Sequence, residues 1–266
     1  MSRPIDNYDR IAIAEIVVYA GFLILGIFLC FKHGIAKSDG WRYAIILALA
    51  RLIGSSLRLA TISDPENTSL YGGWLTLNGL GLAPLILLLL GLLMRLFESI
   101  NRQGHVVVKP IYQRLIQLLM LVGMVLIIVG GTQADYAFNG NDPSIRYPSI
   151  SHAGMAIFIV VFVLVVLETV MAFMNQGFVA QGEHRLFFAI FISLPFLLVR
   201  LIYGSVLIFG SVHASVWLYL GAGVIMEMAV VLVCEVIGLT LEAPPEKKGQ
   251  GDKIPQTSQD RATGEA

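Results

Sequence analysis

The sequence predicts an all-α polytopic membrane protein, a seven-transmembrane-helix bundle. Two observations predict this fold class. The chain of 266 residues is 56% hydrophobic and 14% charged, with a mean hydropathy of +0.77, which is far above that of soluble domains. Seven apolar segments also reach the roughly 20 residues that a helix needs to cross a bilayer core. They lie near residues 10–31, 42–62, 72–97, 111–131, 151–175, 186–210 and 214–241.

The segments follow one another with short loops and leave one polar tail. Asp6 and Asp9 precede the first segment in place of a basic region, so we expect it to be retained as a spanning helix. Pro84 and Pro195 interrupt the third and sixth segments, where they free backbone carbonyls that often line pockets. The longest loop, 132–150, is either an ordered connector or a lid. Residues 1–241 are the predicted transmembrane domain, and 242–266 form a predicted disordered tail.

The positions of lysine and arginine predict the orientation. Twelve loop and tail cations lie on the side of the C-terminus, and only Arg3, Arg10 and Arg146 lie on the other side. The positive-inside rule therefore places the N-terminus in the lumen or outside and the C-terminus in the cytosol. In this orientation Asn67, in the sequon Asn67-Thr68-Ser69, is a predicted glycosylation site. We expect a multi-pass protein of the endoplasmic reticulum or another endomembrane, with the plasma membrane as the alternative.

The ionisable residues inside the apolar segments are the best indication of function. An ionisable side chain at membrane depth costs at least about 2.5 kcal/mol unless it is paired or faces water, so several together indicate an internal polar site. Because three arginines face four acids, at least one acid has no arginine partner and can donate or accept a proton. Pairing that only fixes helix register is the alternative interpretation. The residues are Glu15, Glu168, Glu227 and Glu235, with Arg51, Arg58 and Arg200.

Depth along the helices predicts which of these residues meet. At 1.5 Å per residue, Arg51, Arg200 and Glu227 fall at similar levels and could meet in the bundle interior. Arg58 and Glu15 lie nearer an interface, where each could instead extend to water. A second set of polar residues lies toward the lumen and could form a pocket: Glu15 with Tyr19 at i,i+4, Asn78 and Asp135. Tyr203 lies just beyond Arg200 on the sixth segment. Glu168 and Glu235 fall in the opposite half, where we expect them to hold helices together.

Several chemistries are not indicated by the sequence. No lysine lies in any span, which excludes a retinal Schiff base. The five histidines lie in loops or at helix ends without HxxxH or HExxH spacing, and no DDxxD motif occurs, so we expect neither a metal nor another cofactor. The expected partners are a lipophilic small-molecule substrate and membrane lipids, not nucleic acid.

Short motifs along residues 8–241 resemble a fungal family of seven-helix integral membrane proteins. The motifs are Ala14-Glu15-Ile16-Val17-Val18-Tyr19, His33-Gly34 before Gly40-Trp41, Arg51 with Gly54, Leu80-Gly81-Leu82-Ala83-Pro84, and Leu194-Pro195-Phe196 before Arg200-Leu201-Ile202-Tyr203, with Glu227 in the last span. Similar small multi-pass proteins occur in natural-product gene clusters. The resemblance implies a membrane-bound hydrolase or cyclase that acts on epoxidised polyketides or prenylated intermediates.

From the buried acids and this resemblance we expect an enzyme that opens an epoxide, by hydrolysis or cyclisation, in a lipophilic polyketide or terpenoid intermediate of fungal secondary metabolism. Glu227 is the expected acid and Glu15 the expected base. A small-molecule or lipid transporter, or a receptor-like membrane protein, is the alternative. The other expected site residues hold charges (Arg51, Arg200, Arg58) or orient the substrate (Tyr19, Asn78, Tyr203, Asp135).

Overall fold

The computed structural model describes residues 3–34, 39–65, 67–103, 107–139, 142–179, 183–210 and 215–241. Within these residues, seven helices are long and apolar enough to cross a membrane, so the predicted number of spans is confirmed. They fit an integral multi-pass membrane protein. The predicted tail, 242–266, lies outside the described residues. The spans are α1 (Asn7–His33), α2 (Asp39–Ala60), α3 with α4 (Thr68–Leu80, Leu82–Arg102), α5 (Pro110–Thr132), α6 (Ser149–Met174), α7 (His184–Gly210), and α8 (Val216–Leu218) with a π-helical segment (Tyr219–Ile225) and α9 (Met226–Thr240).

The bundle has an outer end and an inner end. The outer end is defined by the start of α1 and the end of α2, and holds Asp9 and Arg58. The inner end is defined by the ends of α1 and α9, and holds His33 and Gly238. The two names refer to the fold and not to a side of the membrane.

Polar side chains set the starts of two helices. α1 begins with a capping box, in which Asp6 Oδ1 accepts from Asp9 N and Asp9 Oδ2 accepts from Asp6 N, both at 2.9 Å. The acids before the first span therefore belong to the helix start. Asn67 is the N-cap of α3, where its Oδ1 accepts from Ser69 N at 3.1 Å. Glycosylation of Asn67 stays a prediction.

The helical hydrogen-bond pattern of the third span is interrupted between α3 and α4, although the backbone at this break keeps helical dihedral angles, with φ −54° and ψ −28° at Gly81. Pro84 has no N–H, so the carbonyl of Leu80 loses its usual donor four residues on, and the two helices meet at Gly81. The interruption predicted at Pro84 is confirmed. Pro195, by contrast, lies inside the continuous helix α7.

α4 forms the centre of the bundle. Every residue from Leu82 to Leu93 is buried, and α4 contacts α2, α5, α6, α7 and α9. The most apolar stretch of the third span is 83% buried, compared with 28–44% in the other spans. Those other helices expose large apolar side chains such as Val17, Phe188 and Leu232, which a bilayer would cover.

The loop between α5 and α6 contains a small hairpin. β1 (Asp135–Asn139) pairs antiparallel with β2 (Asp142–Arg146), with Asp135 opposite Arg146. These strands were not predicted, although the sequence Asn139-Gly140 is typical of tight hairpin turns. The side chain of Asp135 lies outside the part of the chain that the structure describes, so its site role stays a prediction.

Candidate functional site

Glu227 is the centre of a group of buried ion pairs near the middle of the bundle. It is the second residue of α9 and has no exposed surface. Its Oε1 accepts from Arg51 Nε at 2.5 Å and from Tyr19 Oη at 2.9 Å. Its Oε2 accepts from Arg51 Nη2 and from Arg200 Nε, the latter at 3.3 Å. Two guanidinium groups and a hydroxyl therefore stabilise a single carboxylate, as burial of a charge requires.

Arg51 connects Glu227 to two further helices. From α2, its Nη1 donates to Asn78 Oδ1 on α3 and lies 3.8 Å from Glu15 Oε1 on α1. The side chain is only 3% exposed. A planar guanidinium with five N–H donors can make all these contacts at once, whereas the single ammonium of lysine could not reach them all.

Arg200 completes the group from α7. Its Nη2 donates to the backbone carbonyl of Asn78 at 2.9 Å. Its guanidinium carbon lies 5.5 Å from the centre of the Tyr203 ring, within cation–π range. A carbonyl three residues before the break at Gly81 thus gains a charged donor. The prediction that Arg51, Arg200 and Glu227 meet in the interior is confirmed.

Glu15 is held more loosely than Glu227. Its Oε2 accepts from Ser55 Oγ at 2.8 Å, while its Oε1 lies 3.5 Å from Tyr219 Oη and 3.8 Å from Arg51 Nη1. The residue is 2% exposed, so the prediction that it could extend to water is wrong. Glu15 therefore has one short hydrogen bond, and that bond comes from an uncharged hydroxyl.

A recess of about 160 Å³ of empty space lies beside Glu15, between α1, α2 and α3. The side chains around it pack too closely to admit a water molecule, so a ligand group could enter only if these side chains moved apart. Glu15 contributes a carboxyl group to its wall, and Glu227 does not. The lining residues are Glu15, Ala50, Arg51, Gly54, Ser55, Trp74, Leu77 and Asn78.

Gly81 lets the backbone of the third span approach the ion pairs. A Cβ atom at this position would lie 2.6 Å from Glu227 Oε2 and 2.7 Å from Arg51 Nη2. Both distances are too short for real contacts, so a larger residue would displace the charged groups. The close contact at Gly81 is therefore with an ion pair.

The π-helical segment places Tyr219 against Glu15. It occupies Tyr219–Ile225, directly before α9. Within it, Gly223 lies against Tyr203, since a Cβ on Gly223 would be 3.2 Å from the Tyr203 ring. π-helical turns are rare in proteins, but those that occur are often found at functional sites. The segment and the break at Gly81 both border the group around Glu227.

Arg58 belongs to a separate cluster at the outer end. Its Nε donates to Asp9 Oδ1 at 3.0 Å and its Nη2 donates to Asp6 Oδ2 at 2.5 Å. Arg3 adds a second cation, with its Nη2 2.7 Å from Asp9 Oδ1 and 2.9 Å from Thr61 Oγ1. Arg58 is 1% exposed, so the prediction that it could extend to water is wrong. The capping acids of α1 hold it inside instead.

Aromatic rings separate this outer cluster from Glu15. The Arg58 guanidinium carbon lies 4.7 Å from the ring centre of Trp74, 4.9 Å from that of Tyr71 and 5.3 Å from that of Tyr8. Trp74 and Tyr8 in turn contact Tyr219, at 6.2 Å and 5.6 Å between ring centres. Arg58 therefore contacts the aromatic layer over the site, and not the carboxylates of the site.

Two buried acids lie toward the inner end without an arginine partner. Glu168 on α6 is 5% exposed, and its Oε2 has no hydrogen-bond partner among the described residues. Glu235 on α9 has no exposed surface, and neither of its carboxyl oxygens has a partner in that part of the chain. The surplus of acids over arginines is confirmed in these two residues. Glu235 makes no hydrogen bond that could hold helices together, so that prediction is wrong for Glu235.

Three residues that contact Glu15 or line the recess were missed in the sequence. Ser55 follows Arg51 by four residues on α2, so helical spacing could have identified it. Tyr219 lies in the π-helical segment, whose altered spacing no sequence pattern indicated. Nothing in the sequence around Trp74 distinguishes it from an aromatic residue that only packs in the core.

The fold and the site define a seven-helix membrane protein with a buried arginine–glutamate centre. The chain belongs to the family described as Domain of unknown function (DUF7702), whose family model matches residues 5–244. The match includes all seven spans. Comparisons with curated proteins and with solved structures gave no match.

Proposed function

We propose that this protein is a membrane-embedded enzyme that transfers a proton between Glu15 and an oxygen atom of a lipophilic small molecule. Opening of an epoxide in a polyketide or terpenoid intermediate, by hydrolysis or by cyclisation, is the reaction of this kind that we propose first. The observation that carries the proposal is Glu15 itself, a buried acid in the wall of the narrow recess whose one short hydrogen bond comes from a neutral hydroxyl. Fungal secondary metabolism, implied by the resemblance alone, is part of the proposal.

The contacts of the two acids favour roles that differ from those expected from the sequence. Glu227 accepts from Arg51, Arg200 and Tyr19, which favours its ionised form and makes it a poor proton donor. Glu15 accepts a short hydrogen bond from Ser55 alone. Glu15 is therefore the better acid, and Glu227 fixes the positions of the two arginines.

The proposed step conserves protons and charge. Protonated Glu15 donates its proton to the oxirane oxygen as a carbon–oxygen bond breaks. Water or a hydroxyl of the substrate forms the new bond to that carbon, and the proton it releases returns to the Glu15 carboxylate. Arg51 and Asn78, which also line the recess, can hold the oxygen atoms of the substrate in place.

A transporter or receptor-like protein is the second candidate. The break at Gly81 and the π-helical segment Tyr219–Ile225 are the observations that favour it. Irregular backbone at membrane depth is tolerated where it is enclosed by protein or lines a cavity, and broken helices occur at the binding sites of transporters. In this alternative the recess widens to hold the polar end of a solute, and no bond is broken.

Turnover of simple epoxides tests the reaction. The purified protein in lipid nanodiscs would be incubated with trans-stilbene oxide and with an epoxidised farnesyl ester, in water enriched in oxygen-18. Mass spectrometry would detect the products. A diol that carries the heavy oxygen indicates hydrolysis, whereas an isomer without it indicates cyclisation. We expect Glu15→Gln to abolish either product, because the amide has no carboxylic proton to donate.

A matched variant and a metabolite comparison distinguish the two candidates. Glu168→Gln changes a buried acid outside the recess, and we expect its turnover to equal that of the unmodified protein. In the native cell, Glu15→Gln should cause an epoxide to accumulate. A metabolite profile that stays unchanged after complete gene deletion would contradict the enzyme proposal and favour binding or transport.

We also propose that the N-terminus is lumenal or outside and the C-terminus cytosolic, in an endomembrane. The distribution of lysine and arginine between the loops supports this orientation. A glycosylatable reporter fused before residue 1 should be modified, and one fused after residue 242 should not. Modification at both ends, or at neither, would contradict the proposed orientation. If the unmodified protein carries a glycan that Asn67→Gln lacks, the sequon is glycosylated.

A further inference from the structure

Glu235 is a fully buried acid that the proposed reaction does not use. It follows Glu227 by eight residues on α9, which is about 12 Å along the helix axis. Its carboxyl group lies beside Gly26 on α1, where a Cβ would be 3.6 Å from Glu235 Oε1, an ordinary van der Waals distance. Neither carboxyl oxygen has a hydrogen-bond partner among the residues that the structure describes.

The surroundings of Glu235 do not suit a charged carboxylate. An ionised carboxylate without hydrogen bonds or a counter-ion is far more costly to bury than a neutral acid. A bound cation would require further oxygen ligands. In the described ranges, no group of three or more His, Cys, Asp and Glu side chains is placed to hold a metal ion. A proton is the ligand that neutralises the group and needs no second side chain.

We propose that Glu235 is a proton-binding site in the inner half of the bundle. It is separate from the recess and independent of the proton transfer proposed at Glu15. Buried acids in membrane bundles serve as proton relays in pumps and transporters, where the acid gains and loses its proton as the protein works. The ligand of this site is a proton taken from the water at the inner end.

We place the path to that water past His33 and Trp41, which both lie against the turn of α9 that follows Glu235. The carbonyl oxygen of Gly238, one turn beyond Glu235, lies 3.1 Å from His33 Nε2, and the ring of Trp41 lies against the Gly238 Cα. His33 Nδ1 is 3.4 Å from Arg95 Nη1, so Nδ1 accepts and Nε2 carries the hydrogen. His33 therefore lies at the inner end with its Nε2 hydrogen directed to the turn of α9 that follows Glu235.

The other titratable and charged groups on the helices around α9 have contacts of their own. Lys32 Nζ donates to Leu239 O at 2.6 Å, and Arg185 Nη1 donates to Thr240 O at 3.2 Å. Arg95 Nε lies 3.5 Å from Glu183 Oε1. The buried thiol of Cys234 precedes Glu235 and lies 3.7 Å from Ser193 Oγ, and Cys30 on α1 is buried as well. None of these groups forms an ion pair with Glu235 in the described structure.

Infrared spectroscopy tests the bound proton directly. The whole protein in nanodiscs at neutral pH should show the carbonyl band of a protonated carboxylic acid, and Glu235→Gln should remove one such component. Glu98→Gln is the matched control, because Glu98 on α4 is exposed and paired with Arg102. We expect no change in the acid band of Glu98→Gln. An acid band of full intensity in Glu235→Gln would overturn the proposal.

Two further measurements test the same proposal. Glu235→Gln should yield as much folded protein as Glu98→Gln, because an amide replaces a neutral acid of nearly the same shape; a severalfold lower yield would count against a neutral Glu235. Transfer into heavy water should shift the acid band, and His33→Phe should slow that shift by at least tenfold. An equal rate in His33→Phe would overturn the path through His33.

Discussion

Glu227 and Glu235 are two buried acids on one helix with opposite surroundings. Neither has any exposed surface. Glu227 accepts from two arginines and a tyrosine, whereas neither oxygen of Glu235 has a partner among the described residues. Burial alone therefore does not determine what an acid does in this bundle. The neighbouring helices do, because α2 and α7 direct guanidinium groups toward Glu227 and none toward Glu235.

The largest effect should come from removal of the main partner of Glu227. Arg51→Leu leaves Glu227 with the weaker Arg200 contact and removes the charge beside Glu15, so we expect a loss of about 3–5 kcal/mol in the free energy of unfolding. Unfolding by SDS in mixed micelles would measure it. Arg102→Leu, which removes an exposed ion pair, should change stability by less than about 1 kcal/mol. Equal losses in the two variants would contradict the importance of the buried pair.

The second arginine should matter less than the first. Arg200→Leu removes one hydrogen bond to Glu227 and one to the Asn78 carbonyl, and we expect a loss of about 2–3 kcal/mol. The double variant with Glu227→Leu should recover part of this loss, because no unpaired carboxylate remains. The same unfolding assay measures the coupling. Strictly additive losses would mean that Arg200 and Glu227 do not interact.

A smaller effect is expected at the helix break. In Gly81→Ala the new methyl group must displace Glu227 Oε2 or Arg51 Nη2, and we expect a loss of about 1–2 kcal/mol together with lower turnover. Gly79→Ala is the control, since its nearest side-chain atom, on Ile127, would be 3.9 Å away. If both variants unfold at the same SDS concentration, the close approach at Gly81 has no energetic consequence.

The smallest effect should come from the unpartnered acid. Glu235→Gln should change the free energy of unfolding by less than about 1.5 kcal/mol, because shape and neutrality are kept. Glu227→Gln, the same chemical change on the same helix, should lose more, since it removes the anion that both arginines contact. SDS unfolding of the two variants side by side measures the difference. Equal losses would remove the contrast between these acids.

The sequence predicted the number of spans and the central ion pairs for physical reasons. Crossing a bilayer requires about 20 apolar residues, so each span is visible as a continuous stretch. Arg51, Arg200 and Glu227 were predictable as partners because helix rise converts sequence position into depth, and charges at one depth must pair. These two rules need no knowledge of which helices are neighbours.

Contacts that depend on neighbours or on local irregularity were not predictable. Arg58 was expected at an interface, because the rules gave no indication that the capping acids Asp6 and Asp9 would enclose it. Tyr219 reaches Glu15 through a π-helical segment, which shifts the side-chain spacing assumed for an α-helix. The sequence predicted that at least one buried acid would have no arginine partner, but not that Glu235 would be such an acid. Which side chains are neighbours in space cannot be seen in the sequence.

The position of α4 has a consequence for how the bundle assembles. Its residues from Leu82 to Leu93 carry no polar side chain, so the surface of this part of the helix is apolar on all sides. Lipid tails are as apolar as leucine, so such a surface gives neighbouring helices little preference for one docking angle over another. Gly81, at the start of α4, lies against the charged group of Arg51 and Glu227. The rotation of α4 would then be selected by polar contacts near its two ends: Gly81 against the ion pair at one end, and Arg95 with His33 and Glu183 at the other. The leucines between them fill the space that remains.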